Sequence, residues 1–240
     1  MEIETGRLTY FAFASSSDGN AGVVSDGRTH LLLDAGISAA RIRDGLGEIG
    51  LDPRELSALL VTHLHEDHVK GAKVFLKKTP LPVLRLKDAG GTGGIKVGTV
   101  TVLAFPTPHD AEDSCGFRFE TGDDSLGFAT DLGEVTREVR RGVKGVRRLV
   151  LESNYDPGML WEGPYPFPLK QRIASSTGHL SNPDAAAFLA EMAGEGLEEA
   201  ALGHLSTTNN LPPLALAEAK KAAGDRMRIT VLARRGVVRF

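Results

Sequence analysis

The sequence predicts an α/β protein of the α+β kind, folded as one domain over residues 1–240. Three observations carry this. Hydrophobic residues make up 41% of the chain and charged residues 25%, a balance that supplies a sizeable core and a soluble surface. Apolar residues recur at strand period and then at helix period, twice over, so that two halves of similar texture each begin in strands and end in helices. Fixed-period repeats, low-complexity tracts and linkers are not apparent.

In order, residues 8–14, 20–25 and 29–34 read as a strand meander, with Asp26-Gly27 as the hairpin turn between the second and third. Ser38 caps a helix to about residue 48, and 58–62 ("ALLVT") is a short apolar strand. A helix is expected over "EDHVKGAKVFLKK", where Val69, Ala72, Val74 and Leu76 recur loosely at helical spacing. The Gly-rich stretch 88–94 reads as a surface loop, and strands resume at 99–105, 115–120, 125–130 and 147–152. Asn182 as N-cap with Pro183 at the first helical position opens one late helix. Pro212-Pro213 opens another, before closing strands within 227–239.

A net charge of −3 gives no global pull toward nucleic acid or membrane, so an anionic partner must be met by a local patch. The single cysteine, Cys115, excludes an internal disulfide and fits a reducing compartment. "LTYFAFASSS" superficially suggests a signal peptide, but Glu2 and Glu4 precede it and its short apolar run alternates like a strand. The expectation is a cytoplasmic protein with no membrane span.

Chemistry concentrates in "VTHLHEDHVKG", which places His63, His65, Asp67 and His68 within six positions. His63, His109, Asp131 and His204 each follow an apolar strand-like run, so they are expected to converge on one sheet edge. Zinc takes imidazole and carboxylate ligands at about 2.0–2.2 Å, leaving a position for water when the site is hydrolytic. Alternate residues His63 and His65 would face one ion, and Asp67 and His68, on an incipient helix, a second. One ion cannot easily use all four. His109 and His204 supply further imidazoles, and Asp131 is placed to bridge. The zincin pattern HExxH is not met, because Val69 stands where its second histidine would be.

The pattern HxHxDH at 63–68, followed by His109, Asp131 and His204, with Asp34 in "LLLDAG", resembles the metallo-β-lactamase superfamily over essentially the whole chain. The resemblance implies an αββα sandwich with a dinuclear site on one edge. It implies His63, His65 and His109 on one ion, Asp67, His68 and His204 on the other, Asp131 bridging, and Asp34 orienting a ligand histidine. Further stretches are similar to the YycJ/WalJ nuclease group: "ASSSDGN" (14–20), "ATDLG" (129–133), "LESNYD" (151–156) with "YPFPLKQRI", and "STGHLSNPD" (176–184) paired with "GHLSTTNN" (203–210). Two departures are Ser16, at a position usually glycine, and Thr207-Thr208, in place of a more acidic pair.

The function so implied is a dinuclear phosphodiesterase acting on nucleic acid, a DNA exonuclease, with Zn²⁺ or Mn²⁺ activating water for in-line attack on phosphorus. The alternatives are a hydrolase of a lactone, thioester or β-lactam, and a non-catalytic binding protein that keeps the fold. His179, just before the expected N-cap Asn182, would stand near free backbone N–H groups, where it either clamps a phosphate oxygen or protonates the leaving alkoxide. Ser206, Asn209 and Asn210, with Thr207, either bind phosphate or serve as turn and cap residues. In "REVRRGVKGVRR", Arg137, Arg140, Arg141, Lys144 and Arg148 would share one helix face, either a contact for nucleic-acid backbone or a solvated face. Trp161, Tyr165 and Phe167 sit in a Pro/Gly-rich stretch expected to be a packed loop.

Overall fold

The computed structural model describes residues 5–89, 94–122 and 124–240. The chain runs through β1 (Thr9–Ala14), β2 (Ala21–Ser25), β3 (His30–Ala35), α1 (Ala39–Glu48), β4 (Leu56–Leu60), α2 (Glu66–Val69), α3 (Ala72–Lys78), β5 (Val83–Leu84) and α4 (Leu86–Ala89). It continues through β6 (Ile95–Val97), β7 (Val100–Pro106), β8 (Cys115–Thr121), β9 (Asp124–Ala129), α5 (Arg137–Val143) and β10 (Arg148–Glu152). Three helices follow, α6 (Pro157–Glu162), α7 (Phe167–Ile173) and α8 (Asn182–Gly194), and then β11 (Glu199–Gly203), α9 (Pro212–Ala223), β12 (Arg228–Val231) and β13 (Val238–Arg239).

Among the described residues the strands form two sheets, ordered β13-β1-β2-β3-β4-β5 and β12-β11-β10-β9-β8-β7-β6. Alternation along single strands shows why they stack. In β1, Tyr10 and Ala12 point into the core between the sheets with Phe117, Phe119 and Phe128, while Phe11 and Phe13 point outward to Ile42 and Leu46 of α1. In β10, Val150 faces the inter-sheet core, whereas Leu149 and Leu151 meet Leu189 of α8 and Ala219 of α9. Both faces of the central strands β1, β2, β3 and β10 are covered, so these read as nearly continuous apolar runs, and the layers are helix, sheet, sheet, helix.

Topology then places the site. β3 and β4 are parallel, as are β9, β10 and β11, and β7 is antiparallel to β8, which is antiparallel to β9. β7, β9, β10 and β11 therefore end on the same edge of their sheet, and the loops beyond strand carboxyl ends are where open α/β sheets bind ligands.

Several sequence expectations need correction. The N-cap of α8 is Ser181, whose side chain accepts from Asp184 N, and Asn182 is already helical. The helix expected after the histidine cluster is two pieces, because the backbone at Gly71 passes so close to Ile37 that a Cβ there would lie 1.9 Å from its carbonyl oxygen. The basic helix stops at Val143, so Arg148 leaves the stripe: it lies buried in β10 and pairs with Asp124 at 2.6 Å. The Pro/Gly-rich stretch at 157–168 enters two short helices, with Trp161 and Phe167 exposed. Of the expected loop at 88–94, residues 88–89 end α4 and 90–93 lie outside the described residues. No helix among the described residues is long and apolar enough to cross a membrane.

Candidate metal centre

Short loops after the strands carry the chemistry. His63 lies just beyond β4, His65 is the N-cap of α2, and Asp67 and His68 are within α2. His109 follows β7, Asp131 follows β9 and His204 follows β11. Asp34, Asp131 and His204 adopt left-handed backbone, with φ of 56°, 58° and 53°. Such conformations in residues other than glycine cost of order 1–3 kcal/mol and persist only where the surroundings over-determine them. Here they do. His204 N donates to Ser15 Oγ (2.8 Å) and its carbonyl accepts from Asn154 Nδ2 (2.8 Å), while Leu132 N, beside Asp131, donates to Glu152 Oε2 (3.0 Å).

The structure brings all seven predicted ligands together. Ligand atoms within 4.8 Å of one another group His63 with His65 and His109, Asp67 with His68 and His204, and Asp131 with His63 and His68. Gly36 makes room for this, since a Cβ there would fall 1.6 Å from Asp67 O, inside the backbone of α2.

Each buried imidazole has its Nδ1 tied outward. His68 Nδ1 donates to Asp34 Oδ2 (2.8 Å), and His63 Nδ1 donates to Thr62 Oγ1 (3.1 Å), whose own hydroxyl donates to Asp34 (3.0 Å). His204 Nδ1 donates to Glu152 Oε1 (2.8 Å), and His109 Nδ1 to Gly178 O (3.0 Å). In the neutral ring these bonds select the tautomer whose Nε2 lone pair faces the centre, the arrangement found around metal-ligating histidines.

Charge agrees with this reading. Burial pushes His63 down to about 3, so its ring is neutral, and its buried Nε2 has no partner. Asp131 Oδ2 is a second buried atom without a hydrogen-bond partner, and it lies 3.3 Å from His68 Nε2. Burial opposes charge on Asp131 and Asp67, yet the surrounding imidazoles hold both carboxyls below the usual range. Burial also opposes charge on His68, but Asp131 and Asp34 outweigh it and push the ring up to about 10. His204 is raised in the same way by Asp131, Asp67 and Glu152. Buried imidazole and carboxylate atoms without hydrogen bonds, beside protonated imidazoles that balance buried anions, fit divalent cations.

Glu152 is the residue that sequence reasoning missed. Fully buried at the end of β10, it accepts from His204 Nδ1 and His179 Nδ1, both at 2.8 Å, and from the backbone of Leu132 and Leu180. The sequence carries a signal for it, since "RLVLE" is another apolar strand ending in a ligand-type residue, with glutamate where the other strands lead into His or Asp.

His179 lies beside the cluster, its ring 5.1 Å from His109 and 5.3 Å from His204. Its partner is Glu152 rather than a helix terminus: the amides of Leu180 and Asn182 are already spent on Glu152 and Tyr155. Asn209 and Asn210 are fully buried, and Asn210 bonds Ser153, Asn154 and Asn182, so neither is exposed to touch substrate. Ser206 is nearly buried and its Oγ accepts from Thr208 and Asn209 amides, though it lines the cleft. Arg140 is engaged with Glu191 and lies over Phe188, whereas Arg137 and Arg141 are exposed. Cys115 is buried and free, and burial raises its thiol.

The metallo-beta-lactamase superfamily model matches residues 16–94, and the beta-lactamase superfamily domain model residues 76–204. The chain is 33% identical to "Exodeoxyribonuclease YycJ" of Bacillus anthracis over 227 residues, covering 87% of this chain and 86% of that protein. It is 32% identical to "Exodeoxyribonuclease WalJ" of Streptococcus pneumoniae, covering 86% of this chain and 84% of that one. In three dimensions it is similar to the metallo-beta-lactamase fold protein YhfI from Bacillus subtilis, with a TM-score of 0.71, 16% identity and coverage of 96% and 99%.

Proposed function

Because this chain belongs to the metallo-β-lactamase superfamily and, within it, to the family of the YycJ and WalJ exodeoxyribonucleases, we propose that it hydrolyses DNA from an end with the help of two divalent ions, Zn²⁺ or Mn²⁺. The observation that carries the reading is the Glu152–His179 pair beside the ligand cluster. His63, His65 and His109 would hold one ion, Asp67, His68 and His204 the other, and Asp131 both. Bound divalent ions lower the pKa of water and neutralise charge building on phosphoryl oxygens.

The remaining chemistry belongs to the side chains. A sugar alkoxide is a strongly basic leaving group and needs a proton as its bond to phosphorus breaks. With Nδ1 held by Glu152, the part-exposed ring of His179 turns Nε2 to the cleft, where it delivers that proton, and Glu152 stabilises the imidazolium beforehand. The cleft is lined by Tyr165, Leu169 and Ile173, apolar surface suited to a base, and by Asn154 and Ser206, polar groups suited to sugar and phosphate. Hydrolysis of a lactone, thioester or β-lactam would be favoured by a His179 remote from the ligands, and it is adjacent. A binding protein without activity gains no supporting observation, since no ligand position is lost. We place the activity in the cytoplasm, which the single free cysteine fits.

The direct test is cleavage of end-labelled single- and double-stranded DNA and RNA by metal-stripped protein after restoring Zn²⁺ or Mn²⁺, with a lactone and a thioester in the same panel. Release of mononucleotides from DNA ends is expected, and turnover of only the carboxyl substrates would overturn the reading. His179→Ala is expected to slow DNA cleavage by about 10²–10³-fold at unchanged metal content, removing one limb of the pH–rate profile. An unaltered rate and profile would exclude His179 from proton transfer.

Metal uptake should also release protons. His68 and His204 are held protonated near neutral pH by their carboxylates, and they must deprotonate to bind a cation. Titration calorimetry at pH 7 in buffers of differing ionisation enthalpy should show about two protons released as the Asp67, His68 and His204 site fills. In metal-free protein the raised His68 value has a defined sign: the stability it contributes is complete below about pH 6.5 and is lost as pH rises through about 10. A heat of binding independent of buffer would contradict both.

A further inference from the structure

Two clefts open beside the loops Ser15–Asn20 and His204–Asn210 that frame the ligand cluster. The cleft holding His109 and His179 contains one cation, Arg172, whose charge is spent on Asp110 at 2.5 Å. The other is a groove of about 670 Å³, walled by the same loops through Ser16 and Thr207. Arg41, Lys70, Arg234 and Arg235 line it, against the single carboxylate of Asp18.

That concentration does not follow from composition, because the chain as a whole is net negative. The cations come from distant parts of the sequence: Arg41 from α1, Lys70 from the end of α2, and Arg234 and Arg235 from the loop after β12. The side chains of Arg41 and Arg235 have no hydrogen-bond or ion-pair partner among the described residues, and Arg235 is exposed. Arg234 is held in place, its Nη2 donating to Ser206 O (2.9 Å) and Asn210 O (3.2 Å), on the loop that carries His204. Lys70 Nζ donates to Asp18 O at 2.5 Å, two residues after the ligand position His68. Gathered cations repel one another, so a groove that keeps them together is suited to an anion spread along its length.

We propose that this groove grips the sugar-phosphate backbone of the DNA strand next to the scissile bond, while the terminal nucleotide occupies the cleft of Tyr165 and His179. The inference rests on the nuclease reading and adds the path of the strand to it. It assigns the anionic contact to this groove and not to α5, where Arg140 is already engaged with Glu191 and Phe188.

The test is fluorescence anisotropy of a labelled single-stranded 20-mer in EDTA, which reports binding without cleavage. The double variant R41Q/R235Q should bind at least about tenfold more weakly at 0.1 M salt. Its slope of log affinity against log salt should fall by about 1.4, the loss of two phosphate contacts on a single strand. The matched double variant R137Q/R141Q on α5 should retain the wild-type slope, and thermal melting should show both variants folded. R41Q/R235Q indistinguishable from a wild type that binds, or the loss appearing in R137Q/R141Q instead, overturns the groove and leaves the nuclease reading standing. Wild-type protein that neither binds nor cleaves any oligonucleotide overturns both.

Discussion

Replacing Asp67 or His68 with alanine is expected to lower DNA hydrolysis by at least ~10³-fold, roughly 4 kcal/mol of lost barrier reduction, and to lower metal content measured by atomic spectroscopy. The two variants differ in what they do to the fold. Asp67 is partly exposed, at 25% of its side chain, and its neighbours can reach water when it is removed. His68 is wholly buried, and its loss leaves Asp34 Oδ2 without its 2.8 Å donor, an added cost of about 1–3 kcal/mol. Asp67→Ala is therefore the cleaner probe. Turnover that persists in metal-free protein of either variant would end the metal-dependent mechanism.

Glu152→Gln should reduce cleavage by at least about 10²-fold although the residue touches neither substrate nor the proposed ions. The carboxylate now serves four donors: two imidazole Nδ1 atoms and the amides of Leu132 and Leu180. Glutamine keeps the volume but must turn its NH₂ group toward one pair of donors, either the two imidazoles that share Oε1 or the two amides that share Oε2, so one pair loses its acceptor. Because burial opposes charge on Glu152 while His179 and His204 hold its carboxyl below the ordinary range, Glu152→Ala should cost more in stability, about 3–5 kcal/mol, by stranding buried protonated imidazole. A positioning role predicts a changed pH–rate profile in the glutamine variant with a melting temperature close to wild type. If cleavage in Glu152→Gln stays within about threefold of wild type at every pH, Glu152 is structural only.

The basic groove and the Glu152 network share one property that explains their invisibility in the sequence. Arg41, Lys70 and Arg234 are far apart along the chain and lie in unremarkable local contexts, so neither spacing nor motif joins them. The "REVRRGVKGVRR" stripe was conspicuous because it is local, and the structure dismantled it where periodicity stopped applying. Val143 ends the helix, Lys144 caps it, and Arg148 enters a strand where Asp124 neutralises it. In the same way "GHLSTTNN" resembled a phosphate-binding loop by composition, yet Asn210 is spent holding Ser153, Asn154 and Asn182 together.

By itself the sequence determined what depends on local periodicity and residue chemistry. The strand meander, the Ser38-capped helix, the apolar strands ending in ligand-type residues and the HxHxDH segment are all encoded within a few positions. From these the layered α/β fold and the convergence of His63, His65, Asp67, His68, His109, Asp131 and His204 could be anticipated. Only the tertiary structure decided which nitrogen of each imidazole faces inward, because Asp34, Glu152 and the Gly178 carbonyl come from other strands and loops, and Thr62, next to His63, is itself bonded to Asp34. It also decided which polar residues have capacity left for a ligand. That capacity is what remains after burial and hydrogen bonding have been satisfied, and it is a property of neighbours in space, which spacing along the chain does not carry.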